Sequence, residues 1–212
     1  MRLDKYLAET AQCTRSAART LVQKGRVRVN GAVCKKADTQ LSEADVVCLD
    51  GAPLRYQQFV YLMVNKPAGV VSAREDARDT TVVDLLGDAY PRRQLFPAGR
   101  LDKTSTGFVL LTDDGVFAHE ILAPKRHVPK RYTVTLDTPL TQEMTDGFAA
   151  GVTLADGTAL SPAQVQALSP DGLQVQVVLR QGVYHQIKRM FGVYGAGVNA
   201  LHRDAIGGLA LD

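Results

Sequence analysis

The stretch Pro97–Gly115, PAGRLDKTSTGFVLLTDDG, joins a polar loop to an apolar strand and indicates how the rest of the chain is organised. Its first part places Asp102 in a Gly-Arg-Leu-Asp turn, which a cluster of threonine and serine follows. The run FVLL favours a buried β-strand, and the turn sequence DDG closes it. Catalytic groups are often carried by loops on a rigid scaffold, so Asp102 is a candidate catalytic carboxylate. On local grounds alone, Asp102 could instead hydrogen-bond a turn.

Positive charge is concentrated at the N-terminus of the 212-residue chain. The whole chain carries +3, whereas residues 1–36 hold nine lysines and arginines against two acids, a local excess of +7. This excess indicates a polyanionic partner, most simply nucleic acid, although a solvated charged face is the alternative. The RNA-binding side chains predicted for this segment are Arg2, Lys5, Arg15, Arg19, Lys24, Arg26 and Arg28.

The same N-terminal segment has a recognisable order of elements. RLDKYLA and the run after Thr14 predict two short helices, the second capped by Thr14 and stopped by Gly25. GRVRVNG predicts a strand that enters an Asn-Gly turn, and Val46–Leu49 predicts another strand. This order resembles the ribosomal S4-like RNA-binding domain. The resemblance implies a small α/β domain over residues 1–50 that grips RNA backbone and shape.

The stretch Pro97–Gly115 resembles the central motif of the small-ribosomal-subunit pseudouridine synthase (Rsu) family. The resemblance rests on the GRLD turn, the hydroxyl cluster after it, and the aliphatic run that ends in T-x-D-G. The resemblance implies that Asp102 is the catalytic nucleophile. It also implies an α+β chain in two parts: the S4-like domain, and a catalytic domain on a mixed, largely antiparallel sheet with flanking helices. We place a linker at 51–58, where Gly, Pro and polar residues cluster, and the catalytic domain at 59–212.

Three further segments resemble family motifs in the same order. NKPAG (65–69) follows the run Val60–Val64, predicted as a buried strand, and its Lys66 suits an RNA phosphate. In KRYTVTL (130–136) the resemblance assigns Tyr132 to the target base, while the alternation of the segment also predicts a strand. In RQGVYHQIKRM (180–190) it assigns Lys188 to the catalytic carboxylate. Val183 departs from the pattern, since many members carry Arg or Lys there. The RNA-binding residues predicted for this domain are Lys66, Lys130, Arg131, His185, Gln186 and Arg189.

The reaction that the resemblance implies cuts the bond between uracil N1 and ribose, turns the base and rejoins it through C5. Asp102 must be ionised to attack ribose C1′ or uracil C6, and Lys188, with Arg100 as the next candidate, would favour that state. Tyr132 would stack on the unstacked base and is a candidate for removing the C5 proton. The histidines show no ligand spacing and no phosphate-loop or dinucleotide motif occurs, so we expect neither metal nor cofactor.

The predicted substrate is a uridine of small-subunit (16S) ribosomal RNA, of the type modified at position 516, in RNA or a ribosome assembly intermediate. A large-subunit (23S) enzyme of the same family, a catalytically silent assembly factor and a glycosidase are the alternatives; a glycosidase would want a second positioned carboxylate. Three cysteines without C-x-x-C favour neither disulfides nor zinc. Without an apolar run of membrane length or a signal peptide, we expect a cytoplasmic monomer that does not enter membranes.

Overall fold

The computed structural model describes residues 1–123, 126 and 128–211. The chain folds as two compact units. The first comprises Met1–Phe59 and Gly87–Gln94, and the second comprises Val60–Leu86 and Leu95–Asp212. No helix in the described part of the chain is long and apolar enough to cross a membrane. The predicted domain bounds 1–50, 51–58 and 59–212 stay a prediction.

The first unit packs two helices with a small antiparallel sheet. Its elements are α1 (Leu3–Thr10), α2 (Arg15–Gln23), β1 (Val27–Val29), β2 (Ala32–Val33), β3 (Val47–Leu49) and β4 (Ala52–Leu54). The strand order is β2-β1-β3-β4. The predicted cap is present, because the Thr14 hydroxyl accepts a hydrogen bond from the amide of Ala17 at 3.0 Å. The buried core of this unit consists of Leu3, Leu7, Ala18, Val22, Val27, Leu41 and Val47.

The segment 51–58, predicted as a linker, begins with the strand β4. β4 pairs with β3 across a two-residue turn at Asp50 and Gly51, whose φ angles are 52° and 86°. Such left-handed turn residues match the twist of a β-hairpin. The sequence DG is therefore a hairpin signal here, and the strand that follows it belongs to the sheet.

The second unit is built on one eight-stranded sheet. Its strands are β5 (Tyr61–Lys66), β6 (Phe96–Pro97), β7 (Thr106–Thr112), β8 (Lys130–Leu136), β9 (Gln164–Ala167), β10 (Gln174–Leu179), β11 (Val198–Ile206) and β12 (Leu209–Ala210). The main order is β5-β7-β11-β8-β10-β9, with β6 on β7 and β12 on β11. Only the pair β7–β11 is parallel among the described strands. The predicted α+β fold with a mixed, largely antiparallel sheet is therefore confirmed.

Helices and 3₁₀ turns complete this unit. The helices are α3 (Gly115–Leu122), α4 (Gln142–Ala150) and α5 (Gln186–Gly192). The 3₁₀ turns within Asp84–Ala89 begin in this unit and extend into the segment Gly87–Gln94, which belongs to the first unit. The sequence did not decide whether Asp113 or Asp114 caps α3. The structure shows that Asp114 accepts from the amide of Phe117, whereas Asp113 accepts from the amide of Val60 on the neighbouring strand segment. The main core packs Tyr132, Val134 and Leu136 of β8 with residues of β10, α4 and α5.

The strand predicted as buried at Val60–Val64 is an edge strand instead. β5 pairs only with β7 in the described sheet, and Tyr61 and Met63 remain 45% and 40% exposed. An apolar run alone does not show whether both faces of a strand are covered. The truly buried strand is β7, in which every residue from Gly107 to Thr112 is buried.

Gly107 allows the central parallel pair of strands to approach closely. Its φ is +103°, and a Cβ added there would collide with the backbone carbonyl oxygen of Arg203 on β11. Both the dihedral and the contact therefore require glycine at this position. This pairing fixes the start of β7, and with it the loop that carries Asp102.

Candidate active site

Asp102 lies in the loop between β6 and β7, and a buried neighbour anchors that loop. Leu101 is only 7% exposed, and its amide and carbonyl both hydrogen-bond the hydroxyl of Ser72, at 3.0 and 2.9 Å. The amide of Ser105 closes a turn onto the carbonyl of Asp102 at 3.0 Å. Because the residue before it and the turn after it are both held, the backbone of Asp102 is fixed while its side chain is still 28% exposed.

A buried lysine braces one side of the loop. Lys66 has no exposed surface, and its ammonium donates to the carbonyls of Val70 at 2.7 Å, Pro67 at 2.9 Å and Lys103 at 3.4 Å. The amide of Gly69 also donates to the carbonyl of Lys103. Burial lowers the pKa of Lys66, and the nearby charge of Asp102 partly opposes that shift. Two residues of the NKPAG segment, Lys66 and Gly69, therefore hydrogen-bond the carbonyl of Lys103, the residue that follows Asp102.

A buried arginine braces the other side. Arg203 on β11 is 2% exposed, and its Nε donates to the carbonyl of Phe108 at 2.6 Å. Its Nη1 lies 3.4 Å from the carbonyl of Arg100. These two carbonyls flank Asp102 in sequence, so one guanidinium connects both arms of the loop to the central sheet.

Two basic side chains from one segment reach the carboxylate of Asp102. The Nε2 of His185 lies 3.4 Å from Oδ1, and the Nζ of Lys188 lies 3.8 Å from Oδ2. Lys188 also donates to the hydroxyl of Thr104 at 3.2 Å. Lys188 is on α5, whose Ile187, Met190 and Phe191 are buried in the main core. The helix is therefore a rigid support that holds its basic face against the loop.

The other two residues predicted as catalytic are Arg100 and Tyr132. Among the described residues, neither Arg100 nor Tyr132 forms a hydrogen bond or ion pair with Asp102. Arg100 is exposed, and its carbonyl, not its guanidinium, joins the network. Tyr132 is 7% exposed on β8, opposite Arg203 in the strand register. The strand interpretation of Tyr132 is therefore correct, and its predicted stacking on a base stays a prediction.

Three residues predicted to bind RNA are buried in the structure, and their RNA-binding role stays a prediction. Lys66 is the brace described above. Lys130 is 9% exposed and donates to the carbonyl of Val128, and burial lowers its pKa. Gln186 is 5% exposed and accepts from the amide of Val183. The fold encloses these three polar side chains, and no local signal in the sequence indicates their burial.

The remaining predicted RNA-binding residues of this unit have different surroundings. His185 contacts Asp102, and Arg189 pairs with Asp156 at 2.5 Å. Arg131 is exposed and alternates along β8 with Tyr132, so it lies on the opposite face of the sheet. There a polar depression of about 450 Å³ is lined by Asn65, Arg131, Thr133, Gln176, His202, Asp204 and Leu211. Lys125 and His127, also in the basic run, lie outside the described residues.

The seven basic residues predicted in the first unit are all exposed. Arg2 and Arg19 both pair with Asp4, which is 2% exposed, at 3.0 and 3.3 Å. The hydrogen bond from Arg2 is the main cause that lowers the pKa of Asp4, which burial opposes. Arg26 pairs with Asp50. The exposed guanidinium groups at Arg2 and Arg19 are thus fixed on the surface by a buried acid that the sequence analysis did not single out.

The geometry around Asp102 suits a carboxylate that attacks a bound substrate. The side chain is accessible, two basic groups face its two oxygens, and backbone hydrogen bonds hold its loop in place. Nucleophilic attack needs a carboxylate that a substrate can reach and whose direction is fixed, and this arrangement provides both. Sequence reasoning missed the bracing roles of Ser72, Lys66 and Arg203. Lys66 lies within the NKPAG motif, but no local signal indicates that Lys66 or Arg203 is buried.

Two family models match the chain. The model described as RNA pseudouridylate synthase matches residues 60–192, and the S4 domain model matches residues 1–47. An uncharacterized RNA pseudouridine synthase of Bacillus subtilis (strain 168) is 40% identical, over all of this chain and 90% of that protein. The ribosomal small subunit pseudouridine synthase A of Escherichia coli (strain K12) is 39% identical, over all of this chain and 91% of that protein.

A solved structure agrees with these sequence matches. The crystal structure of a pseudouridylate synthase aligns with a TM-score of 0.67 and 36% sequence identity. The alignment covers all of this chain and 91% of that one. The similarity therefore includes both the S4 match and the unit that carries Asp102.

Proposed function

The chain belongs to the RNA pseudouridylate synthase family, and on that premise we propose that it converts a uridine of small-subunit ribosomal RNA to pseudouridine. Pseudouridine synthase activity is the property of the family, and the choice of RNA is the proposed part. One observation carries the chemistry: an accessible Asp102 faced on both oxygens by basic side chains. The large-subunit RNA is the competing substrate, and the experiment below separates the two.

Asp102 acts as the nucleophile in this proposal. Its carboxylate attacks ribose C1′ or uracil C6, so that the bond between N1 and the ribose breaks and the base can turn. Lys188 and His185 face the two carboxylate oxygens and orient them toward the substrate. Thr104 accepts a hydrogen bond from Lys188, which fixes the direction of the ammonium. Tyr132 stacks on the base and is the candidate to remove the C5 proton.

The small-subunit target is supported by relatives that bear that name. Proteins named ribosomal small subunit pseudouridine synthase A match the whole chain at 39% identity in Escherichia coli and 41% in Pasteurella multocida (strain Pm70). The S4 domain and its exposed basic residues supply affinity for the RNA backbone. The particular nucleotide, expected at position 516, stays a prediction. Activity assays with naked RNA and with an assembly intermediate decide which of the two is the substrate.

The same proposal includes where and in what form the enzyme works. Ribosomal RNA as substrate places it in the cytoplasm. We also expect a monomer. Light scattering at working concentration measures the oligomeric state, and a dimer would contradict the expected monomer.

Mapping pseudouridine in ribosomal RNA from cells with and without the gene tests the function. We expect one site in small-subunit RNA to disappear on deletion, to return with the wild-type gene, and to stay absent with Asp102→Asn. The purified enzyme should form the same site in deletion-strain RNA or in assembly intermediates. Loss of a large-subunit site instead would overturn the proposed target but keep the activity. An unchanged map, with no activity of the purified enzyme, would contradict the function itself.

A further inference from the structure

Tyr184 is the most exposed aromatic side chain in the described part of the chain, and it lies next to the active site. It is 70% exposed, compared with 45% for Tyr61. Its ring stacks on the imidazole of His185, with centroids 3.9 Å apart and planes at 17°. The same imidazole contacts Asp102 through Nε2. A flat aromatic stack thus extends from the catalytic carboxylate into solvent.

The turn beneath this stack is held in place by its neighbours. Val183 packs against the main core, while the amide of Val183 donates to the side chain of Gln186 at 3.0 Å. Gln186 is itself 5% exposed, and its backbone amide donates a hydrogen bond to the carbonyl of Val183. His185 adopts the left-handed conformation, with φ 50° and ψ 32°. With Val183 turned inward and His185 against Asp102, Tyr184 is directed outward by the backbone.

One face of the Tyr184 ring is covered by His185, and the exposure of the residue leaves the other available. A nucleobase can continue such a stack, because every base has a π-face and aromatic side chains are common stacking platforms for unpaired RNA. The ring of Tyr184 lies against His185, and His185 contacts Asp102. A base stacked on Tyr184 would therefore belong to a nucleotide close to the target.

We propose that the outer face of Tyr184 stacks on a nucleobase directly adjacent to the target uridine and holds it while the uridine is unstacked into the site. The proposal rests on the proposed function, since it needs an RNA substrate at Asp102. Stacking offsets part of the cost of extracting the uridine, which amounts to a few kcal/mol in enzymes that flip bases. It also supplies affinity at a turn where Val183 carries no charge.

The test is a double-mutant cycle between the protein and the RNA. The full-length enzyme and Tyr184→Ala are each measured with natural RNA and with RNAs that are abasic at the 5′ or the 3′ neighbour of the target. Affinity is measured directly, and the rate of pseudouridine formation is measured at saturating RNA. Tyr184→Phe retains the ring, and Leu168→Ala removes another exposed apolar side chain, 47% exposed, as the matched control.

We expect Tyr184→Ala to weaken binding of natural RNA by about 5- to 150-fold. Tyr184→Phe should restore most of that affinity, and Leu168→Ala should have no effect. For the wild-type enzyme, one of the two abasic RNAs should bind more weakly than natural RNA, by a similar factor. For Tyr184→Ala, that abasic RNA and natural RNA should bind equally well. The proposal would be overturned if Tyr184→Ala bound natural RNA as tightly as the wild type does. It would also be overturned if, for both abasic RNAs, the loss of affinity from Tyr184→Ala simply multiplied the loss from the missing base. A loss seen only with ribosomal particles would overturn it too, because it would indicate a protein contact.

The choice of RNA keeps this test separate from the proposed function. The cycle is run on whichever ribosomal RNA the wild-type enzyme modifies. If that is large-subunit RNA, the proposed target fails while the stacking proposal is still decided by the cycle. If small-subunit RNA is modified and no coupling appears, the stacking proposal fails while the target stands.

Discussion

The ammonium of Lys188 lies 3.8 Å from a carboxylate oxygen of Asp102, although 86 residues separate them in sequence. The helix α5 brings Lys188 there because its other face is buried in the main core. The loop brings Asp102 there because Ser72, Lys66 and Arg203 hold the backbone around it. Two motifs that no local interaction could join thus form one site.

Replacing Asp102 by Asn should abolish pseudouridine formation while leaving fold and RNA affinity nearly unchanged. The amide keeps the shape of the side chain but cannot act as an anionic nucleophile. Single-turnover assays with excess enzyme measure the reaction, and direct binding measures affinity. Asp79→Asn, which changes another partly exposed acid of the same unit, is the control. Turnover near that of the wild type in Asp102→Asn would contradict the assigned role.

Replacing Lys188 by Met should lower the rate at saturating RNA by about ten- to a hundredfold, the effect of about 1.4–2.7 kcal/mol. The methionine removes the cation near Asp102 but keeps much of the side-chain length. Lys188→Arg should retain more activity than Lys188→Met, because the positive charge remains. Thr104→Val, which removes only the hydroxyl that Lys188 binds, should have a smaller effect. If Lys188→Met only weakens RNA binding and excess RNA restores its rate, then Lys188 contacts RNA and does not assist Asp102.

Replacing Lys66 by Met should lower the free energy of unfolding of the second unit by about 1–3 kcal/mol, since buried carbonyls lose their donor. Urea unfolding followed by far-UV circular dichroism measures this, because the chain has no tryptophan. Lys103→Met is the matched control: its side chain is 50% exposed and pairs with Asp79. We expect that exposed pair to contribute about 1 kcal/mol or less. Equal losses in the two variants would show that burial of Lys66 does not matter.

Neutralising exposed basic residues of the first unit should make RNA binding less sensitive to salt. Each phosphate contact that is lost should reduce the slope of log affinity against log salt by about 0.7–0.9. Arg15→Gln combined with Lys24→Gln should therefore give a flatter slope than the wild type. Arg74→Gln, in the second unit and already paired with Glu75, is the control. Identical slopes for the double variant and the wild type would remove these two residues from the RNA interface.

Asp156 should contribute to stability in a way that is lost in acid. Hydrogen bonds from Thr158, and then that from Arg189, lower the pKa of Asp156 from 3.8 to about 2. A lowered pKa means that the folded state favours the carboxylate, so the stabilisation is complete above pH 3.8 and disappears as pH falls through about 2. Thermal midpoints at pH 5, 3 and 2 should therefore converge for wild type and Asp156→Asn. Glu75→Gln, with a side chain 82% exposed, is the control, and a constant difference across this range would contradict the prediction.

Much of the local structure followed from the sequence because its signals act over a few residues. Thr14 accepts from an amide three residues later, and the alternation around Tyr132 matches a strand with one buried face. The family and the candidate nucleophile Asp102 were identified from ordered motifs. Where two local signals competed, as with Asp113 and Asp114, the sequence left both possibilities and only the structure distinguished them.

The sequence by itself therefore determined local features, such as the cap of α2 and the alternation of β8, and the residue types available for catalysis, because backbone preferences and caps are short-range. The tertiary structure decided which side chains are enclosed and which distant groups meet. A lysine in NKPAG looks exposed, yet Lys66 is buried because carbonyls from Pro67, Val70 and Lys103 surround its ammonium. Burial and charge pairing depend on the parts of the chain that fold around a residue, and those parts are far from it in sequence.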